Sequence, residues 1–401
     1  MDSLLLTLVL PVIAALICMA LTLPGWVLLV FALASRKQAV RPPCVPSSKH
    51  PRLAVLVPAH NESTHLLPTL ACLRAQLRAE DRLIVVADNC SDDTAHIARQ
   101  AGATVVERHQ AELCGKGYAL AFGREALRED PPEVVVIVDA DCVVLSQGLS
   151  CLALACANSG RPVQMLDLMQ AADGAGLRTR ILEFAWLVKN KLRPAGSARL
   201  GQACHLMGTG MAFPWALFAN AHLAHGHVAE DMKLGIDLAL AGHPPLFLES
   251  AQVVSEFPLD GKVAHQQKTR WEHGHMRAIR EELPRMLRSY WRDRQSAVLV
   301  MAMDLLIPPL TLYLLMSFFL VVFLTPLAWL LPQYRGACAV AWAGALATAV
   351  ALLLAWVREG RHLISVTELL QLPAYALWKL PVYLNYLLNK RSAWVRTERR
   401  S

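Results

Sequence analysis

The sequence predicts an α/β domain held at a membrane by apolar helices at both ends of the chain. Of the 401 residues, 55% are hydrophobic and 18% are charged, a composition too apolar for an ordinary soluble protein. The apolar excess lies at the two ends, whereas Pro51 to Arg294 carries mixed charges and turn residues. We therefore divide the chain into an N-terminal transmembrane anchor (1–40), a soluble domain (50–295), and C-terminal interfacial and transmembrane helices with a basic tail (296–401).

The N-terminal apolar run, Leu4 to Ala34, contains no charged residue. As a helix it would be roughly 46 Å long against a hydrocarbon core of about 30 Å, which allows one span. Basic residues follow at once, at Arg36, Lys37 and Arg41. The positive-inside rule then predicts that the soluble domain is cytoplasmic and lies at the inner face of the cell membrane.

Two further spans are expected after the soluble domain. Pro308 and Pro309 interrupt an apolar run, and the segment before them contains Asp304, whose charge would cost about 2.5–3.5 kcal/mol at the bilayer centre. We expect that segment at the membrane interface, a span from Leu310 onward, and a return span over Ala337 to Val357. The chain would thus be a multi-pass membrane protein, and a fourth span near the C-terminus stays open. The basic tail and the net charge of +7 favour an anionic lipid leaflet.

Short apolar runs alternate with helix-length segments in the soluble domain. The runs LAVLV, RLIVVAD and EVVVIVD begin at Leu53, Arg82 and Glu133. Alternation of this kind predicts a mainly parallel sheet covered by helices on both faces. In such sheets, ligands bind at the carboxyl ends of the strands.

Acidic clusters follow three of these predicted strands. PAHNE ends at Glu62, DNCSDD begins at Asp88, and DADC begins at Asp139. Each alone could be a helix cap or a chance pair, but three at successive strand ends predict one site. The chain has neither GxGxxG after its first strand nor GxxxxGK[ST], which argues against NAD binding and P-loop ATP hydrolysis. Carboxylates that face a nucleotide indicate a divalent metal, because the metal would neutralise the diphosphate.

Candidate residues for group transfer can be named from their positions. Asp139 and Asp141 have the spacing to present two carboxylates to a hard cation such as Mg²⁺ or Mn²⁺. Lys116 begins a predicted helix and would add positive charge beside phosphates. Glu230 and Asp231 begin another helix, where either could accept a proton from a hydroxyl. The alternative for this pair is an ordinary acidic first turn that favours the helix dipole.

A later segment, HQQKTRWEHGH from His265 to His275, combines amides, cations and a tryptophan. One interpretation is a basic amphipathic helix at the membrane surface, with Trp271 as an interfacial anchor. The other places Arg270 on a diphosphate and Trp271 against a sugar ring.

Together these motifs resemble the membrane-embedded members of glycosyltransferase family 2, such as the cellulose, chitin and hyaluronan synthases. The matching elements, in chain order, are VPAHNE, Asp88 in VVADNCSDDT, DAD, GTGMAF, ED and QxxRW. The resemblance implies a GT-A fold, a Rossmann-like α/β domain, with transmembrane helices at both ends. It also implies a UDP-sugar donor, Mg²⁺ or Mn²⁺, and inversion at the anomeric carbon.

The same resemblance implies roles for individual residues of this chain. The general base would be Asp231, and the metal ligands would be Asp139 and Asp141. With Lys116 added from its position, the donor-binding residues would be Glu62, Asp88, Lys116, Asp139, Gln267 and Arg270. The acceptor-side residues would be Gly208, Thr209, Gly210, Glu230 and Trp271.

The acceptor and the product stay open at this point. The C-terminal sequences LWKLPVYLNYLL and WVRT are similar to those of shorter bacterial family 2 enzymes of exopolysaccharide or glycolipid pathways. We expect a saccharide or a lipid-linked acceptor, membrane lipids as partners, proteins of polysaccharide biosynthesis or export as candidate partners, and no nucleic acid. Ala229 stands where the synthases commonly have Thr, and three spans are few for a polymer channel. Processive synthesis, single transfer to a lipid-linked acceptor, and a non-catalytic membrane partner are therefore the alternatives.

Overall fold

The computed structural model describes residues 9–35, 50–224, 229–258 and 261–369, together with Gln371, Leu377 and Leu380. The helices are α1 (Leu10–Ala34), α2 (Leu67–Arg74), α3 (Thr94–Gln100), α4 (Lys116–Glu125), α5 (Gly148–Ser159), α6 (Leu177–Leu187), α7 (Arg193–Arg199), α8 (Trp215–Phe218), α9 (Glu230–Leu240), α10 (Gly261–Asp293), α11 (Ser296–Leu305), α12 (Leu310–Leu330), α13 (Arg335–Ala355) and α14 (Val366–Leu369). A π-helical turn, Val188–Leu192, joins α6 to α7.

The strands of the central domain are β1 (Leu53–Ala59), β2 (Arg82–Asp88), β3 (Thr104–Arg108), β4 (Val134–Ile137), β5 (Val143–Val144), β6 (Val163–Gln170), β7 (Met211–Pro214) and β8 (Leu246–Glu256). They form one sheet in the order β3-β2-β1-β4-β7-β6-β8-β5. The first four strands in the chain are parallel to one another, as predicted. The other half is mixed, because β7 runs antiparallel to both β4 and β6.

The strand residues alternate between two apolar layers, as the period of two in a β-strand requires. On one face, Val55 and Val57 of β1 pack with Leu70 of α2. On the other face, Leu56 of the same strand packs with Leu120 of α4. Because both faces are covered by apolar side chains, polar groups collect at the carboxyl ends of the strands.

Among the described residues, three helical segments are long and apolar enough to cross a membrane, and they lie where the sequence predicted spans. They are α1, α12 and the segment Pro332–Gly360, which contains α13. The helices α1 and α13 pack side by side and run in the same direction, since Cys18 clusters with Ala337 while Leu28 clusters with Ala351. With α12 as the return span, this parallel arrangement suits three crossings of one bilayer.

Small residues make the contact between α1 and α13 close. A Cβ atom at Gly344 would overlap the side chain of Thr22, and one at Gly25 would overlap Thr348. Close approach at glycines is typical of helix pairs in membranes, where van der Waals packing drives association. At the end of α1, Arg358 donates hydrogen bonds to the carbonyl oxygens of Ala32 and Ser35, the latter at 2.6 Å.

The segment before the proline pair lies inside the protein. Asp304 of α11 is half-buried and accepts a hydrogen bond of 2.7 Å from Nε of Arg193 of α7. This ion pair accounts for an acidic residue next to a membrane span. The basic flanks at Arg36, Lys37 and Arg41 and the basic tail lie outside the described residues. So does most of the region considered for a fourth span, Leu363 to Leu388, of which only 363–369, 371, 377 and 380 are described.

Candidate active site

A cavity of about 580 Å³ lies at the carboxyl ends of β4 and β6, closed on one side by α10. Most of the residues selected from the sequence line it. These are Lys116, Asp139, Asp141, Gly208, Thr209, Glu230, Asp231, Gln267, Arg270 and Trp271. Segments far apart in the chain thus meet where a parallel sheet is expected to bind its ligand.

Lys116 joins three of these segments. As the first residue of α4, it donates from Nζ to Oδ1 of Asp139 and, at 2.7 Å, to the carbonyl oxygen of Gly208. Burial alone would lower the pKa of Lys116, but the carboxylates of Asp139, Glu230 and Asp231 outweigh burial and raise it. The ammonium is therefore charged and points at the place where a diphosphate would meet the DAD motif.

The loop that contains Gly208 and Thr209 is fixed against the DAD motif. The backbone N–H of Asp139 donates to Oγ1 of Thr209 at 3.1 Å. Gly208 has φ +96°, and a Cβ atom there would lie 3.4 Å from Oδ2 of Asp231 and 3.7 Å from Nζ of Lys116. The glycine thus leaves room for a carboxylate and an ammonium to approach the same backbone.

Carboxylates outnumber cations in the wall of the cavity. The carboxylates are Glu112, Asp139, Asp141, Asp167, Glu230 and Asp231, and the cations are Lys116, Lys189 and Arg270. Burial raises the pKa of Asp139, Lys116 partly opposes this, and Asp141 raises it further. A diphosphate could enter such a cavity only with a compensating cation.

The donor set at the DAD motif fits Mg²⁺ or Mn²⁺ shared with a ligand. Two carboxylates two residues apart supply hard oxygen atoms, which both ions prefer. Within the described ranges, no three His, Cys, Asp or Glu side chains form a cluster that could hold an ion by themselves. Asp139 and Asp141 would therefore need further oxygen atoms, and those of a nucleotide diphosphate are of the right kind.

Glu230 and Asp231 form the first turn of α9 and face the cavity. Burial raises the pKa of Glu230 to about 7, and the neighbouring charge of Asp231 adds to the effect. Two adjacent carboxyl groups with different surroundings can divide the tasks of binding and proton transfer.

The QxxRW residues lie on α10, and helical geometry explains their spacing. Gln267, Arg270, Trp271 and Gly274 are separated by three, four and seven positions and so share one face of the helix. That face points into the cavity. Oε1 of Gln267 is buried and has no hydrogen-bond partner within the described parts of the chain. A buried acceptor of this kind is suited to a ligand that carries hydroxyl groups.

Three predicted residues lie outside the cavity wall. Asp88 forms a 2.5 Å ion pair with Arg108, whose guanidinium lies 5.5 Å from the ring centre of the cavity residue Tyr118. Glu62 follows β1, and its backbone N–H donates to Oγ1 of Thr94 at 2.9 Å. Their proposed contacts with uridine stay predictions.

Gly210, the third of these residues, has φ +64° and packs against the sheet. A Cβ atom there would lie 2.9 Å from Val253 and would overlap Met165. The loop backbone lies so close to the sheet that only glycine fits at position 210, whether or not the loop binds a ligand.

Other residues of the cavity wall were not selected from the sequence, among them Asp167 and Lys189. Asp167 of β6 is buried, accepts a 2.9 Å hydrogen bond from Nδ2 of Asn190, and has its pKa raised by burial to about 8. Lys189 lies in the π-helical turn, with its ammonium 5.3 Å from the ring centre of Trp186. Asp167 is the one charged residue in the apolar strand VQMLDLMQ, and this pattern could have identified it as a candidate site residue.

The fold and cavity define an α/β protein with an acidic ligand site suited to a divalent cation. Residues 50–274 match the model of glycosyltransferase like family 2, which covers more than half of the chain, and the chain belongs to this family. The predicted family and the predicted α/β fold of the GT-A class are confirmed by this match and by the observed sheet.

Comparisons with individual proteins give more distant similarities. The probable glycosyltransferase YdaM of Bacillus subtilis (strain 168) is 25% identical over 239 residues, which are 57% of this chain and 56% of that protein. The chain thus spans a little over half the length of this curated relative.

Two solved structures are also similar. A mannosyltransferase from Pyrobaculum calidifontis, in complex with GDP-Man and Mn²⁺, is 21% identical with a TM-score of 0.49 over 86% of this chain and 100% of that chain. Glucosyl-3-phosphoglycerate synthase from Mycobacterium tuberculosis, in complex with Mn²⁺, UDP and phosphoglyceric acid, is 23% identical with a TM-score of 0.38 over 56% of this chain and 78% of that chain.

Proposed function

We propose that the chain is an inverting glycosyltransferase which transfers a sugar from a UDP-sugar to a saccharide or lipid-linked acceptor at the cytoplasmic face of the cell membrane. The observation that carries this proposal is the single cavity that holds the DAD carboxylates, Lys116, the Glu230–Asp231 pair and the QxxRW face of α10. Family membership supports the reaction class, and the long apolar helices support the membrane location. An acceptor at the cytoplasmic face of the membrane is compatible with a role in the synthesis of cell-surface polysaccharide or exopolysaccharide.

On the donor side, Lys116 and Arg270 would bind the diphosphate, and Gln267 would accept a hydrogen bond from the sugar or the ribose. Asp139 and Asp141 would hold Mg²⁺ or Mn²⁺. When bound, that ion would supply the positive charge that the leaving diphosphate needs. Glu62 and Asp88 are proposed for the uridine end.

On the acceptor side, Asp231 would accept the proton of the attacking hydroxyl group. A bond forms between the acceptor oxygen and the anomeric carbon while the bond from that carbon to the diphosphate oxygen breaks. The nucleoside diphosphate leaves with the electron pair, and attack from the opposite face inverts the anomeric carbon. Trp271 lies 4.9 Å from Trp186 between ring centres, so the two rings offer an aromatic wall for a sugar.

The test of this function is a donor screen with the full chain in membranes, followed by mass analysis of the product. We expect transfer from one UDP-sugar that stops in excess EDTA and in Asp141→Ala. Asp173→Ala is the matched control, because Asp173 is an exposed carboxylate outside the cavity. Unchanged turnover in EDTA or in Asp141→Ala would overturn the metal assignment.

Product mass separates the remaining alternatives. Addition of one sugar would favour a glycolipid or polyprenyl-linked intermediate, whereas a ladder of masses would favour a polysaccharide. Failure of every donor with correctly folded protein would favour the non-catalytic membrane partner.

A further inference from the structure

Asp167 of β6 lies in the wall of the acidic cavity, and the proposed transfer gives it no role. Met169, two positions further along the strand, lines the cavity too and is paired in register with the cavity residue Ser255 of β8. Val163 and Met165 belong to the same face of β6 but lie in the apolar core. This face of the strand therefore changes from apolar to acidic where it reaches the cavity.

The carboxyl group of Asp167 is held in one orientation. Its Oδ2 accepts a 2.9 Å hydrogen bond from Nδ2 of Asn190, and its backbone carbonyl accepts one from Nε1 of Trp186 at 3.3 Å. Asn190 is buried in the π-helical turn, and its own Oδ1 has no partner within the described parts of the chain. The Asn190 amide thus bonds to Asp167 alone among those residues, as expected of a group that positions a ligand-binding side chain.

The other carboxyl oxygen, Oδ1 of Asp167, is left for a ligand. It accepts no hydrogen bond from the described residues, and it is not one of the oxygen atoms that they bury without a partner. A carboxyl oxygen in a cavity wall gains free energy when a donor group meets it there. Hydroxyl groups are such donors, and a carboxyl oxygen can accept from them whether or not the group is ionised.

Asp167 lies near the place of the donor sugar and not of the nucleoside. Burial raises its pKa, Lys189 partly opposes this, and Asp139 and Asp141 raise it further, so Asp167 is within electrostatic range of the DAD motif. Through its carbonyl it also contacts Trp186, part of the aromatic wall. A sugar whose diphosphate is at the DAD motif, and which is presented to an acceptor at that wall, would lie between the two.

We propose that Asp167, positioned by Asn190, selects the donor by accepting a hydrogen bond from one hydroxyl group of its sugar ring. This rests on the proposed function, because a nucleotide sugar must fill the acidic cavity. A donor without that hydroxyl would leave Oδ1 of Asp167 unpaired. Sites that hydrogen-bond a substrate hydroxyl reject the analogue lacking it much more strongly than an apolar pocket rejects a smaller substrate. Asp167 would thus determine specificity without acting as the base or as a metal ligand.

The test compares the binding of UDP-sugars and of UDP to the purified full chain with Mn²⁺ and without any acceptor. The ligands are UDP-glucose, UDP-galactose and UDP-N-acetylglucosamine, together with the monodeoxy analogues of the one that binds best. We expect Asp167→Ala to weaken the best UDP-sugar by about 10- to 100-fold, because a hydrogen bond to a carboxyl group is lost. Its affinity for UDP should change less than twofold, which also shows that the variant is folded.

The monodeoxy analogues identify the hydroxyl group. One of them should bind to the wild type and to Asp167→Ala with the same affinity, since residue and hydroxyl then have no interaction left to lose. Asn190→Ala should cause a smaller loss with the same dependence on that hydroxyl, because it frees the carboxyl group without removing it. Asp173→Ala is the matched control, because Asp173 is an exposed carboxylate that follows the same strand and lies outside the cavity.

An equal loss for the parent UDP-sugar and for every deoxy analogue would overturn the proposal, since Asp167 would then act on the fold or on the diphosphate. So would unchanged affinity in Asp167→Ala, or a wild type whose affinity depends on no hydroxyl of the sugar. The expected binding pattern without transfer to any acceptor would instead overturn the proposed function and leave the sugar contact standing.

Discussion

Glu230 and Asp231 are adjacent carboxyl groups that lie in different surroundings. Burial raises the pKa of Glu230 to about 7, so this group is only partly ionised at neutral pH. Asp231 faces the cavity, and its Oδ2 would lie 3.4 Å from a Cβ atom built at Gly208. The proposal that Asp231 is the base, with Glu230 as a hydrogen-bonding neighbour, is compatible with these surroundings.

Asp231→Asn is predicted to lower sugar transfer by about 10²- to 10⁴-fold, because the amide keeps the shape of the carboxylate but cannot accept a proton. UDP affinity should barely change, since the contacts of Lys116 and Arg270 remain. Initial rates of transfer and UDP binding check both statements. Glu230→Gln should be the milder change, and near-normal transfer by Asp231→Asn would assign the base to another group.

Which residues line the site could be predicted only in part from the sequence. Asp139 and Asp141 follow a predicted strand, and Glu230 and Asp231 begin a predicted helix, so these four could be selected from their positions. Gln267 was selected only through the resemblance to family 2. Lys189 reaches the wall because a π-helical turn lies between α6 and α7. Such a turn changes which side chains face inward, and the amino-acid composition of the segment does not predict it.

At the scale of helices and strands, the contact between α10 and the segment before α12 links the site to the membrane helices. Nε2 of His275 donates to the carbonyl oxygens of Leu305 at 3.2 Å and Ile307 at 3.0 Å. Burial, together with the charges of Arg193 and Lys189, lowers the pKa of His275 to about 3. The neutral ring is therefore the form that the fold accommodates.

This lowered pKa predicts acid sensitivity. Because the pKa of His275 falls from 6.5 to about 3 on folding, its contribution to stability is complete above pH 6.5 and is lost as the pH falls toward 3. At pH 5 the loss is about 2 kcal/mol. Thermal unfolding midpoints at pH 7 and pH 5 should differ less in His275→Gln than in the wild type. An equal difference in both proteins would mean that another group senses the pH.

The packing of α1 on α13 gives a prediction about a single glycine. Gly344→Val should separate the two helices, because a side chain there overlaps Thr22. We expect a lower thermal unfolding midpoint in detergent. Gly336→Val is the control, since a Cβ built at Gly336 has no neighbour within 4 Å among the described residues beyond its own helix backbone and chain neighbours. Equal midpoints for the two variants would show that the close approach adds little to stability.

At the scale of the whole molecule, the α/β class and the three apolar spans could be predicted because long runs and regular alternation depend on local sequence. The reversal of β7 could not, because its direction is set by pairing with β4 and β6, which are distant in the chain. The ion pair of Asp304 with Arg193 likewise depends on tertiary packing. Sequence alone suggested only that Asp304 lay outside the lipid core.

The proposed topology predicts which surfaces a reagent outside the cell can reach. A cysteine at Gln333, exposed in the turn between α12 and α13, should react with an impermeant thiol reagent in intact cells. A cysteine at Glu80, exposed on the sheet domain, should react only after lysis. The wild type, with its native cysteines, gives the background. The reverse pattern would place the sheet domain outside.

The pairing of α1 with α13 also has a consequence for the order in which the protein matures. The ribosome makes α1 before the sheet domain and α12. The residues of α13 that contact Thr22 and Gly25 of α1 are made only after both. During synthesis α1 therefore exists for a time without its partner helix. Arg358, which donates a hydrogen bond to the carbonyl oxygen of Ser35 at the end of α1, is made only after α13. Chains that stop before α13 would leave the surface of α1 around Thr22 and Gly25 without its partner helix.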